Sequence, residues 1–195
     1  MLPDDLPDAL TLAVLDVAGA PALVDRLLRE QPNLQSLAFI GAGKAGVLAM
    51  AAARQLRPDL RILALDRAQA ALDAVSAAHL ADAVRSVDAS DALQVRQAVS
   101  DWNGGQPADA VVNLASLPGT ELATVLACRA RGTCLFFGMA TSFPRVALGA
   151  EGVGADVELR IGNGFVTGHA DFALSLVRAM PAVYSMLKFG SVCSP

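Results

Sequence analysis

Six short apolar runs alternate with helix-like stretches from residue 34 onward, and this alternation constrains the possible fold more than any other feature of the sequence. The runs are Leu34 to Ile40, Leu60 to Leu65, Ala83 to Val87, Ala108 to Leu114, Gly132 to Phe137 and Val157 to Ile161. Several are apolar nearly throughout instead of at every second residue, the pattern of a strand covered by helices on both faces. Helices are predicted over Gly43 to Leu56, Ala68 to His79, Asp91 to Trp102, Thr120 to Arg131 and His169 to Leu187. Such a succession implies a parallel sheet with right-handed crossovers, a three-layer doubly wound α/β fold with six strands in the order 3-2-1-4-5-6. Ahead of it, Ala9 to Val17 and Ala20 to Glu30 read as helices, with Pro21 as the first helical residue of the second. Residues 1–33 are therefore expected as a helical linker segment, and residues 34–195 as one domain. The one long connection expected to lack helix is 138–156, and loops of that length in compact domains are usually functional or disordered.

The first apolar run ends in Gly41-Ala42-Gly43-Lys44-Ala45-Gly46, which fits GxGxxG between a buried strand and a helix. In that setting Gly41 permits the tight turn, Gly43 lets a pyrophosphate approach the backbone, and Gly46 lets the helix pack close to the strand. The N–H groups at the start of the helix, with its dipole, would hold the phosphates. The second run ends at Asp66, twenty residues after Gly46, where an acid accepts hydrogen bonds from the ribose hydroxyls. These features predict a Rossmann domain that binds NAD. Arg67 beside Asp66 could offset its charge, so NADP stays open. A triphosphate loop is excluded by spacing, because Ala45 stands where a magnesium-binding Ser or Thr is required. A bare strand-to-helix turn, and a solvated Lys44 instead of a phosphate contact, remain as alternatives.

Ligands of open α/β sheets lie beyond the carboxyl ends of the strands, which nominates the loops there. Asp88 ends the third run near the expected adenine, with a role in capping the next helix, alongside Ser90, as the alternative. Asn113, Ala115 and Ser116 follow the fourth run, Gly138 and Met139 the fifth, and Asn163 lies between Gly162 and Gly164 after the sixth. Small and amide-bearing residues suit contacts to a ribose and a carboxamide, although turn formation alone also explains Gly162 and Gly164. His169 opens the last predicted helix, where catalysis, capping and packing are all open.

Composition narrows the partners. Apolar residues make up 54% and charged residues 17%, so the chain can bury a generous core. A net charge of -4 without a basic cluster argues against nucleic acid. The three cysteines form no CxxC pair and only two histidines could join them, so neither a metal site nor a disulfide framework is expected. Cys128 and Cys134 read as small buried apolar residues in a helix and a strand. The acidic, proline-punctuated MLPDDLPD lacks the features of a secretory signal. Ala9 to Val24 is broken by Asp16 and Pro21 and is too short to span a bilayer. A cytoplasmic location is the expectation.

TLAVLDVAGAPA, residues 11–22, looks like the segment that joins catalytic and cofactor domains in medium-chain dehydrogenases. FFGMATSF, ALGAEGVGADVELRIGNG and GHAD, around Gly138 to Ala170, resemble the carboxyl-terminal region of the L-erythro-3,5-diaminohexanoate dehydrogenases, and the resemblance covers nearly the whole chain. It implies NAD-dependent oxidative deamination of 3,5-diaminohexanoate to 5-amino-3-oxohexanoate in lysine fermentation, with a nucleotide-binding role for Gly41, Gly43, Gly46 and Asp66. Glu151, Asn163 and His169 fall within the matching motifs without an assigned chemistry, so the catalytic residues are unknown. The family carries a catalytic domain before the linker, at which this sequence begins. A truncation, a misjudged gene start, a separate chain supplying that part and a dedicated cofactor-binding module are the readings this raises. Self-association through apolar surface is expected in each.

Overall fold

The computed structural model describes residues 2–162 and 164–188. Two helices, α1 (Asp8–Leu15) and α2 (Gly19–Glu30), precede β1 (Ser36–Ile40), α3 (Lys44–Leu56), β2 (Arg61–Asp66), α4 (Gln69–Ala77), β3 (Ala83–Ser86) and α5 (Ala92–Trp102). There follow β4 (Ala108–Asn113), α6 (Glu121–Ala127), β5 (Cys128–Phe136), α7 (Phe143–Gly152), β6 (Glu158–Ile161), α8 (His169–Ala179) and α9 (Pro181–Lys188). All pairings in the sheet are parallel, and the strand order is 3-2-1-4-5-6, as the alternation of elements predicts.

Why the central strands read as continuous apolar runs is plain from the two cores. Leu37 and Phe39 of β1 point into a cluster with α1, α2, α3, α8 and α9, whereas Ala38 and Ile40 point into a second cluster with α5, α6 and α7. Alternate residues of one strand thus serve opposite faces, and from Leu37 to Ile40 both faces are buried and apolar. Leu10 and Val14 of α1 and Val24 and Leu27 of α2 are buried in the first cluster, so the amino-terminal helices share the core of the sheet.

Four boundaries differ from the sequence expectation. The connection 138–156 is not helix-free, because α7 occupies Phe143–Gly152 and seats Val146 and Ala150, four residues apart, on the second core. Its two glycines and one proline hide the helical period, yet Pro144 falls in the first turn, where its missing N–H costs nothing. The last predicted helix is two, divided at Met180, whose extended backbone (φ -122°, ψ 94°) is what a residue before proline prefers. The helix predicted to Arg131 stops at Ala127. Cys128 and Cys134 consequently lie on one strand, β5, which carries a register shift opposite Ala108 and Ala110. Both thiols are buried and free, and contact with Cys128 together with burial pushes the Cys134 thiol far above its usual range. Pro21 is the third residue of α2, not the first.

Candidate functional site

The carboxyl ends of β1 and β2 hold the glycine turn. Gly41 has a φ of +106°, and a side chain there would meet the backbone of Leu114 and Ala115 at 3.1 Å. At Gly46 an added Cβ would lie 2.1 Å from the Gly41 carbonyl oxygen, so α3 rests directly on the turn. Gly43 is different. Its φ is -71°, open to any residue, and nothing lies within 4 Å of an added Cβ. Neither backbone geometry nor packing within the chain explains that glycine.

Gly43 is also the N-cap of α3, a helix whose start has no side-chain cap and no acid in its first turn. The amides of Gly41 and Ala42 are used, donating to the Leu65 carbonyl (2.8 Å) and to Asp66 Oδ2 (2.7 Å). Among the described residues, the next four amides, from Gly43 to Gly46, donate to no protein group. By contrast the start of α5 is closed by Asp91, which accepts from the Leu93 and Gln94 amides. A helix start left open in this way, at the positive end of its dipole, suits an anion.

Asp66 is held by two backbone donors, Ala42 N at Oδ2 and Ala68 N at 2.9 Å from Oδ1. It is half-buried, and each oxygen keeps a lone pair for a further donor. Arg67 next to it is exposed. Asp88 lies across from them, fully exposed and held below the usual carboxylate range by hydrogen bonds from the Ser90 hydroxyl (2.7 Å) and amide (2.9 Å). Asp91, not Asp88, caps α5.

Beyond β4, β5 and β6 opens a cleft of about 540 Å³. Ala45, Ser116, Gly138, Met139, Thr141 and Gly162 line it, which brings the loops after three strands to one place. Met139 projects wholly into solvent, and Phe143 and Ile161 on the same wall are more than half exposed. Asn113 does not present its side chain to the cleft. It is buried, its amide donating to the Thr120 and Thr124 hydroxyls (2.9 and 2.8 Å) while its oxygen accepts from Ala115 N (3.1 Å). Its work is to shape the loop that carries Ala115 and Ser116. Buried Glu121 acts similarly, accepting from the Ser142 amide (2.8 Å) and so tying α6 to the start of α7. A side chain at Gly138 would lie 2.4 Å from the Ala115 carbonyl oxygen, so glycine sets how closely the two cleft loops approach.

Asn163 lies outside the described residues. Glu151 is exposed on α7, away from the cleft lining, and His169 stacks edge-on against Phe165 at 5.0 Å at the start of α8. Two cleft residues have no sequence signal of their own: Asp16 and Val17, from the turn between α1 and α2, reach it because α1 packs beside α8 and α9. Lys44 Nζ lies 3.6 Å from Asp16 Oδ2. Among the described residues no cluster of His, Cys, Asp and Glu suits a metal ion, and no helix is long and apolar enough to cross a membrane.

A doubly wound sheet with a glycine turn at the switch point between β1 and β4 defines a Rossmann-type domain. The comparisons narrow this further: the chain is homologous to part of the L-erythro-3,5-diaminohexanoate dehydrogenases. It is 40% identical over 185 residues to that enzyme from Fusobacterium nucleatum, matching 91% of this chain and 51% of the relative. The enzyme from Acetoanaerobium sticklandii is 37% identical over 178 residues, with the same coverage. The chain thus spans about half the length of these relatives. No family profile matches it. Similar solved structures include an alcohol dehydrogenase from Thermotoga maritima (TM-score 0.67, 18% identity, covering 92% of this chain and 48% of that one). Another is TarJ of S. aureus in complex with NADPH (TM-score 0.65, 14% identity, 96% and 56%). A third, D-arabinose dehydrogenase from Sulfolobus solfataricus, has a TM-score of 0.64 at 15% identity, covering 97% and 54%. At these identities the structures speak for the fold.

Proposed function

We propose that the chain is the NAD-binding half of an amine dehydrogenase that deaminates L-erythro-3,5-diaminohexanoate in lysine degradation. The observation that carries the cofactor reading is Gly43, a glycine that neither φ nor packing requires, placed at the open start of α3. A pyrophosphate lying there would meet the Gly43 to Gly46 amides and exclude any larger side chain. Asp66 would accept from the adenosine ribose hydroxyls while repelling a 2'-phosphate, which favours NAD over NADP. Arg67 and Asp88 would flank the adenine side, with Lys44 and Ala45 beside the phosphates.

When bound, the nicotinamide supplies the acceptor for a hydride from the carbon bearing the 3-amino group. The balance is R₂CH–NH₃⁺ + NAD⁺ + H₂O giving R₂C=O + NADH + NH₄⁺ + H⁺. The part of this chain is to orient: Leu114, Ser116, Gly138 and Met139 form the wall against which the nicotinamide half would rest. Asp16 is the only charged side chain lining the cleft among the described residues, so general acid and base groups would come largely from the remaining length seen in the relatives. The exposed apolar wall of Met139, Phe143 and Ile161 would be covered by that part or by a second copy.

That same scarcity of titratable groups favours a second reading, a nucleotide-binding module without turnover of its own. Titration with NADH, followed by nicotinamide fluorescence, tests the shared core of both. Saturable binding that is lost in Gly43→Val is expected, and its absence in the wild type would remove the cofactor reading. Steady NADH formation from 3,5-diaminohexanoate by a chain of the relatives' full length separates enzyme from module.

A further inference from the structure

Lys44 sits where a helix least favours a cation. It is the first residue of α3, at the positive end of the dipole, and the helix offers no acid in its first turn. Its charge is met instead by Asp16, 3.6 Å away, from the turn between α1 and α2. Both side chains reach solvent, Lys44 by about a third and Asp16 by 69%. Asp16 lines the cleft, and the other polar side chains there, Ser116 and Thr141, are uncharged.

We infer that Asp16 is the cleft's receptor for the ammonium group of the substrate, and that Lys44 occupies it until a dinucleotide draws the lysine away. This rests on the reading of the glycine turn as a dinucleotide site. A pyrophosphate at the Gly43 to Gly46 amides brings two negative charges to the base of Lys44, a stronger attraction than one mostly solvated carboxylate. Once Lys44 turns to the phosphates, Asp16 is left as an unpaired anion at the cleft, where a protonated amine is the complementary ligand. Binding is then ordered, dinucleotide before amine. By linkage the amine tightens the dinucleotide by the same factor, because it holds Asp16 and prevents Lys44 from returning.

The test is NADH titration at low ionic strength of the wild type, Asp16→Asn, Lys44→Met and the double variant. Removing the competing carboxylate is expected to tighten NADH about two- to five-fold, the range that exposed ion pairs command. Lys44→Met weakens NADH, and in that background Asp16→Asn has no effect. Added 3,5-diaminohexanoate tightens NADH in the wild type and not in Asp16→Asn. An unchanged NADH affinity in Asp16→Asn, or the same gain with and without Lys44, overturns the exchange while leaving the dinucleotide reading standing. Wild type without saturable NADH binding overturns both.

Discussion

The two ends of the sheet are built to opposite rules. At the amino ends of the strands, the carboxylates of Asp109, Asp82 and Glu158 are consumed by the fold. Asp109 accepts from the Gln35 and Ser36 amides (2.8 and 2.9 Å), from the Ser36 hydroxyl and from Arg129. Asp82 accepts from the Ile62 amide (2.7 Å) and pairs with Arg54. Glu158 takes hydrogen bonds from Thr133 and Arg160, and Arg160 reaches on to Glu30. At the carboxyl ends, a run of four amides has no protein partner among the described residues, and apolar side chains stand in solvent. One end closes on itself and the other is left for something else, so substitutions at the two ends should fail in different ways.

The sharpest break of that contrast is Gly46→Ala, since it belongs to the open carboxyl end yet is fixed by packing. Its Cβ would lie 2.1 Å from a carbonyl oxygen that cannot move without the turn, and a loss of about 3 kcal/mol is expected. Chemical denaturation should show a lower midpoint with an unchanged slope. Asp109→Ala at the other end strands the Gln35 and Ser36 amides and Arg129, at a cost of about 2 kcal/mol, because hydrogen bonds to a charged partner are among the stronger ones. NADH affinity of the folded fraction should be unaltered. Gly43→Ala is the mirror image: stability within about 0.5 kcal/mol of the wild type, because the site is open and its φ ordinary, but NADH affinity down about tenfold or more, some 1.4 kcal/mol. Equal affinity in Gly43→Ala would erase the functional half of the comparison.

How far each end can be read from sequence follows from how local its causes are. The glycine turn, Asp66 and the strand order are legible because a buried strand, a tight turn and a helix are consecutive in the chain. Asp16 is not legible as a cleft residue: its place depends on how α1 packs beside α8 and α9, elements more than 150 residues further on. Asn113 shows the converse. It stands at the right position for a cofactor contact, and only the structure reveals Thr120 and Thr124 taking up its amide. The carboxylates of the amino end carry no motif at all, because Asp109 finds Gln35 and Ser36 across more than 70 residues. Helix α7 was hidden by glycines whose cost is offset by tertiary burial of Val146 and Ala150.

The smallest expected effect is also the one that separates the ends by proton chemistry. Burial pushes the Asp109 carboxyl up, but the hydrogen bonds from Gln35, Arg129 and Ser36 outweigh it and hold the group below its ordinary value. Glu158 is likewise lowered, chiefly by Arg160. A carboxyl that binds its proton less readily in the folded than in the unfolded chain stabilises the fold above its unfolded pKa of about 4. That contribution is lost as pH falls through the lower folded value. Asp109 is partly exposed and Arg129 is half in solvent, so its share is expected to stay within about 1 kcal/mol. Thermal unfolding measured from pH 7 down to about 3 should show a steeper decline below pH 4 in the wild type than in Asp109→Asn. Asp88→Asn, at the exposed carboxyl end, should follow the wild-type curve closely, because its depressed carboxyl serves only a local turn with Ser90. Parallel curves for the wild type and Asp109→Asn would mean that the amino-end carboxylates hold the strands without titrating with the fold.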